Sequence, residues 1–171
     1  MTESTSRRPP HIRLHIRKEA LKFSAAHMTV FPDGTKERLH GHNYRTELSV
    51  EFPSQSTTQF LAFSSFKIPM KAICEQWDEK LLLPGRCPRL KIIRDTADEL
   101  EFSLCGKRYV LPKDEVEILP IDNVITETLA MEFSRRLIEA LKPEELRHFT
   151  KVELRIEEIT GQGASYVWYP A

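Results

Sequence analysis

The sequence carries no excess charge of either sign, with 25 Lys and Arg against 25 Asp and Glu in 171 residues. A surface that coats a polyanion carries a basic surplus, so nucleic acid is not an expected partner. Long apolar runs are also missing. None nears the roughly 18 residues that a spanning helix needs, so no membrane role is expected. Cysteine is scarce, and Cys74, Cys87 and Cys105 form an odd set without CxxC spacing. That argues against a disulfide framework and against a thiolate zinc site, fits a reducing cytoplasm, and makes each cysteine a small apolar filler. The opening MTESTSRRPP has charge and proline with no apolar stretch behind it. Residues 1–10 are therefore expected to be a disordered leader, not a signal peptide. With 40% apolar and 29% charged residues, the remainder predicts one folded domain over residues 11–171.

Residues 11–25 put Ile12, Leu14 and Ile16 on one face, the alternation of a half-buried strand. Pro32, Asp33 and Gly34 mark a turn, and alternation resumes from His42 to Phe52 as a second, antiparallel strand. After PSQSTTQ, apolar positions 66, 70, 73, 74, 77 and 81 form a helical stripe interrupted early by Pro69, predicting a helix over 64–80. Residues 84–120 read as an insert of turns and short strands. Leu129, Phe133, Leu137 and Leu141 predict a second helix, capped by Asn123 or Thr126 and followed by Pro143. The tail alternates through Val152, Leu154, Ile156 and Glu158, turns at GQG and returns through Tyr166 and Trp168. The expected fold is α+β, a four-stranded antiparallel sheet with two helices on one face. Its edges stay unpaired unless several sheets close into a β-barrel, so an oligomer is expected.

His40 and His42 flank Gly41 at the opening of the second strand. Residues two apart in an extended chain project to one face, and the glycine leaves room between them. His27 ends the preceding strand, and the chain reversal across residues 28–39 brings it beside the pair. Three neutral imidazoles with an open fourth position describe a catalytic zinc site, the bland alternative being solvated strand-end histidines. His11, His15 and His148 group with no ligand set. Glu158 shares the apolar side of its strand with Leu154 and Ile156, where a carboxylate needs a partner.

FSAAH at 23–27, LHGHNY at 39–44, ETLA at 127–130 and LRIEE at 154–158 resemble the 6-pyruvoyltetrahydropterin synthase family, which includes 6-carboxytetrahydropterin synthase. The likeness begins near residue 22 and covers most of the chain, leaving out the leader and the insert at 84–120. It implies a tunnelling fold in which trimers close a barrel and often pair into hexamers. It also implies active sites at subunit interfaces and Zn2+ on His27, His40 and His42. The tetrahydrobiopterin and queuosine branches place a cysteine, the general base, four residues before the first histidine of the triplet or slightly earlier. Here that position is Lys36, and Glu37 instead gives ExxHGH. This resembles a third branch, in which a glutamate replaces the cysteine and dihydroneopterin triphosphate is cleaved to 6-hydroxymethyldihydropterin.

By the same resemblance the family's Asp-His pair falls on Asp78 and Glu79, so the usual relay histidine is missing, and the DFxxLK pattern before the first helix becomes residues 62–67, AFSSFK. Glu158 matches the pterin-anchoring glutamate, which accepts the 2-amino and N3–H donors together; its alternative is an ion pair in the core or between subunits. Thr126 and Glu127 match residues near the pterin pocket, or are ordinary first-turn residues. Lys36, Arg38 and Lys67 are candidates for a triphosphate. Zinc on three imidazoles polarises vicinal hydroxyls, and Glu37, unless it is a solvated loop charge, removes or relays a proton. The expectation is a cytoplasmic zinc-dependent lyase acting on the side chain of a reduced pterin. The alternatives are a 6-pyruvoyl- or 6-carboxy-tetrahydropterin synthase and a silent zinc- and pterin-binding module.

Overall fold

The computed structural model describes residues 10–54 and 62–170, so all of the expected leader but Pro10 lies outside the described residues. The first expected strand is two strands, β1 (His11–Ile16) and β2 (Lys22–His27). Between them the alternation fails at Lys18-Glu19-Ala20, where Leu21 N–H closes a turn onto the Lys18 carbonyl at 2.9 Å. The 14-residue β3 (His40–Pro53) receives both on one side. Strand β2 pairs antiparallel with His40 to Arg45 and β1 with Leu48 to Pro53.

The chain continues through α1 (Phe63–Trp77), β4 (Lys80–Pro84), β5 (Leu90–Asp95), β6 (Glu99–Leu104), β7 (Lys107–Pro112) and β8 (Val116–Leu119). It closes with α2 (Thr126–Ala140), the short α3 (Pro143–Leu146), β9 (Lys151–Ile159) and β10 (Gln162–Trp168). The main sheet has seven strands, in the order β10-β9-β3-β2-β4-β8 with β1 also beside β3. The four-stranded antiparallel expectation is thus corrected in number and direction, because β4 and β8 add to β2 in parallel. Leu82 is buried on the helical side of β4, while Leu81 and Leu83 are buried on the other. A strand covered on both faces reads as an unbroken apolar run, which the spacing of Leu81 assigned to a helix. The helix ends at Trp77, and Glu79, at φ 57°, turns the chain so that its N–H reaches the Ser24 carbonyl at 2.6 Å. Among the described residues no helix is long and apolar enough to cross a membrane.

The larger core lies between one face of this sheet and the two long helices. Phe23 stacks on Tyr44 at 4.9 Å between centroids and meets Trp77 edge-on at 5.3 Å; Trp77 meets Phe133 edge-on at 5.5 Å. Each such side chain contributes about 1.5–3 kcal/mol by leaving water. On the opposite face, β1, β3, β9 and Arg17 just after β1 carry facing charges: Arg13 on Glu51, Arg17 on Glu47, Lys151 on Glu153 and Arg155 on Glu157.

A second core fills the space between β4 and the antiparallel sheet β5-β6-β7, burying Met28, Leu81, Leu83, Leu100, Phe102 and Leu104. The expected insert is therefore a packed layer, and its last strand, β8, rejoins the main sheet.

Glu132 on α2 is only 2% exposed. Its carboxylate accepts from Arg135 at 2.7 and 2.8 Å and from Arg136 at 2.9 Å, and Arg136 reaches on to Gln76 of α1 and Glu117 of β8. Burial alone would push Glu132 up, but the two guanidinium groups outweigh it and hold its carboxyl below the usual carboxylate range. A depressed folded value stabilises above the unfolded value of about 4.3, and that stability is lost as pH falls through the folded value. Glu132→Gln is expected to cost about 2 kcal/mol at pH 7 and to flatten the acid limb of stability against pH, as measured by urea unfolding.

Candidate functional site

The register of β2 on β3 sets His27 opposite His40, and His42 shares the face of His40. The three rings converge, with centroids 4.6 Å (His27–His40), 5.3 Å (His27–His42) and 4.9 Å (His40–His42) apart. One ligand atom from each lies within 4.8 Å of the others, and no second such group forms among the described residues. The three positions expected from the sequence are brought together.

Backbone carbonyls orient two of the rings. The Val124 carbonyl lies 3.0 Å from His27 Nδ1 and the Arg38 carbonyl 2.8 Å from His40 Nδ1. A carbonyl can only accept, so both Nδ1 atoms carry the proton, and the Nε2 atom is the one left to ligate when the ring is neutral, the arrangement of metal-ligating histidine. Burial pulls the His27 imidazole below the usual histidine range and keeps it neutral, as ligation requires. Its Nε2 is buried without a hydrogen-bond partner. Glu158 Oε1 lies 3.4 Å away, outside hydrogen-bonding geometry. A buried nitrogen lone pair aimed among two other imidazoles fits a divalent ion.

Glu158 reaches this cluster from β9, its Oε1 3.0 Å from His42 Nε2 and 3.4 Å from the Tyr44 hydroxyl. Burial, reinforced by this carboxylate, pushes the Tyr44 hydroxyl far up, so Tyr44 is a permanent donor. Glu157 is buried as well, accepting from Gly161 N–H at 2.7 Å where β9 turns into β10. Gly163 faces it across the strand, where a Cβ would lie 2.3 Å from the Ile156 carbonyl oxygen.

Glu37 faces the cluster from the loop between β2 and β3. Its Oε2 accepts from Thr29 N–H at 3.2 Å and sits 3.9 Å from His40 Nε2. Burial works to raise its carboxyl, but the Thr29 hydrogen bond and the neighbouring imidazoles together hold it below the usual glutamate range. Lys36, a triphosphate candidate, turns inward, donating to the Glu37 carbonyl at 3.0 Å. Lys67 lies on α1 in a groove with Lys18, Ile68 and Lys71.

Asp78 and Glu79 are exposed and make no hydrogen bond or ion pair with the cluster among the described residues. The Asp78 carboxylate accepts from Ser24 N–H at 2.7 Å and lines a cavity of about 510 Å³ with Lys22, Asn43, Arg45 and Lys71. Thr126 and Glu127 open α2, with the Thr126 hydroxyl donating to Glu127 at 3.2 Å. Neither Asn123 nor Thr126 caps this helix. The cap position is Ile125, whose N–H donates to the Thr128 hydroxyl at 3.3 Å. Asn123 instead clasps Val30, accepting its N–H and donating to its carbonyl, both at 2.9 Å. This clasp and the Val124 carbonyl pin the start of α2 to the end of β2. Neither is legible in the sequence, where an asparagine before a helix carries the signal of a cap and a backbone carbonyl carries none.

The family model for 6-pyruvoyl tetrahydropterin synthase matches residues 15–167. The chain belongs to the 6-pyruvoyl tetrahydropterin synthase family. It is accordingly an enzyme of that lyase type. It is 32% identical over 151 residues, 87% of this chain and 91% of the other, to a Methanocaldococcus jannaschii protein named "Putative 6-carboxy-5,6,7,8-tetrahydropterin synthase". The 6-pyruvoyl tetrahydropterin synthase of Plasmodium vivax superposes with a TM-score of 0.84 at 25% identity, covering 94% of this chain and 99% of that one. The Plasmodium falciparum enzyme gives 0.83 at 25% identity, over 93% and 98%. In this family setting the three imidazoles are a group able to hold a metal ion, with Glu158 and Glu37 beside them.

Proposed function

We propose that this protein is a zinc-dependent lyase that cleaves the side chain of dihydroneopterin triphosphate, or a similar reduced pterin, to 6-hydroxymethyldihydropterin. The observation that carries this reading is the carboxylate of Glu37, 3.9 Å from a nitrogen of the histidine cluster. The Plasmodium vivax structures include variants in which a glutamate described as a catalytic residue is replaced by alanine or by cysteine. His27, His40 and His42 would hold Zn2+, which supplies a charge that acidifies the vicinal hydroxyls of the side chain. Glu37 takes the proton of the 2′-hydroxyl, the bond between C1′ and C2′ breaks, and its electron pair passes into the ring imine. Glu37 then returns the proton to C1′, and the two-carbon aldehyde departs with the triphosphate. Glu158 receives the 2-amino and N3–H donors of the pterin, with Thr126 and Glu127 at the edge of the pocket.

The sheet ends at β8 and β10, which favours closure of copies into a barrel of three, or of two such trimers. Asp78 and Glu79, away from the cluster of their own chain, would then serve a neighbour's site. Residues 11–171 act as one domain, and the free cysteines Cys74, Cys87 and Cys105 suit a cytoplasmic home.

Incubating the zinc-loaded protein with dihydroneopterin triphosphate, with and without a chelator, and following products by mass spectrometry tests the reaction. A hydroxymethylpterin product that disappears with chelator supports it. Loss of triphosphate with the carbon chain retained favours a 6-pyruvoyl or 6-carboxy product, a second reading supported by the name of the Methanocaldococcus relative. Tight binding without conversion marks a silent binding module. Glu158→Ala is expected to weaken pterin binding by about 2 kcal/mol, roughly 30-fold, through loss of a charged pairing. Calorimetric titration with a pterin checks this, and an unaltered affinity removes the anchor role.

A further inference from the structure

We propose that the insert sheet β5-β6-β7 positions the base, with Tyr109 acting through Lys36 to hold Glu37 toward the histidines. This rests on the reading of Glu37 as the base. The ammonium of Lys36 sits 5.1 Å from the centroid of the Tyr109 ring, donates to the Glu37 carbonyl at 3.0 Å and lies 3.2 Å from Met28 Sδ. An ammonium so placed is tethered by a ring face, a sulfur and a carbonyl, which fix its position without neutralising it. Tyr109 in turn is stacked on Phe102 at 5.1 Å and 15°, and Phe102 is fully buried in the second core with Met28.

The segment just after β2 holds Glu37 from its other side. Lys36 bridges to Val30, Glu37 N–H donates to the Thr29 carbonyl at 2.9 Å, and Thr29 N–H returns to the Glu37 carboxylate at 3.2 Å. At the loop tip the Arg89 guanidinium, just before β5, closes over Gly34, where a Cβ would lie 2.5 Å from Nη1. Arg89, before β5, and Tyr109, on β7, thus both reach the loop that carries the base, while its carboxylate remains at the cluster. Misplacing a base by an ångström costs turnover more than substrate binding, which sets the expected signature.

The test compares Tyr109→Leu, which keeps apolar volume but loses the ring face, with Tyr109→Phe, which keeps the ring. For the leucine variant kcat is expected to fall about 10-fold with KM within twofold, and trypsin cleavage after Lys36 or Arg38 in the folded, zinc-loaded protein to rise about fivefold; phenylalanine restores both. Unchanged kcat and cleavage in the leucine variant, or failure of phenylalanine to restore them, overturns the proposal. If the parent protein converts no pterin, the catalytic reading has failed, and the cleavage rates alone decide whether the insert holds the loop. Should Tyr109→Leu unfold, Lys36→Met, which removes the charge and keeps the stem, is expected to give the same fall in kcat with a rise in cleavage after Arg38 alone, and parental behaviour there overturns the proposal.

Discussion

Glu37→Gln is expected to lower pterin side-chain cleavage by about 1,000-fold, within the range of general base catalysis, while the zinc content per protomer stays at the parental level. Glutamine keeps the shape and can still accept from Thr29 N–H, so the loop stays in place. It cannot take a proton. The carboxyl, held below the usual glutamate range, is ionised at neutral pH and therefore ready to act as a base. Product formation followed by mass spectrometry, with elemental analysis of the same samples, separates loss of the base from loss of the metal. A rate within a few-fold of the parent would remove Glu37 from the reaction.

His42→Ala is expected to reduce zinc affinity by at least about 100-fold, since loss of an outer-shell partner alone costs 10- to 100-fold, and to abolish turnover with it. His42 is better for this test than His27, whose side chain is 4% exposed against 20% for His42, so that an alanine there opens less of the interior. His148→Ala, outside the cluster, is the control and is expected to keep one ion per protomer. Zinc retained by His42→Ala after dialysis against a chelator would falsify the three-imidazole centre.

The histidine cluster was legible because its geometry is local. The alternation around Gly41 fixes two rings on one face, and a 12-residue reversal between β2 and β3 delivers the third. Glu37 stood out through the resemblance of ExxHGH to the family pattern, lying three residues before His40. What escaped depends on partners distant in sequence. The run Leu81-Leu82-Leu83 has no periodicity to separate strand from helix, and only the second core explains why both faces of β4 are apolar. Val124 contributes a carbonyl, which no side-chain pattern reveals. Asn123 has the chemistry of a cap and spends it on Val30, 93 residues away. Lys36 reads in the sequence as a loop cation available to phosphate, but Tyr109, from the insert, lies beneath its ammonium.

The outward face of β1, β3 and β9 has a kinetic consequence. Arg13, Arg17, Lys151 and Arg155 are matched by Glu51, Glu47, Glu153 and Glu157, so these four pairs by themselves add almost no net field to the solvent beside them. A second copy drifting toward that face is neither drawn in nor turned away by them from afar, and as far as they govern it, any encounter there proceeds at an unsteered pace that barely responds to ionic strength.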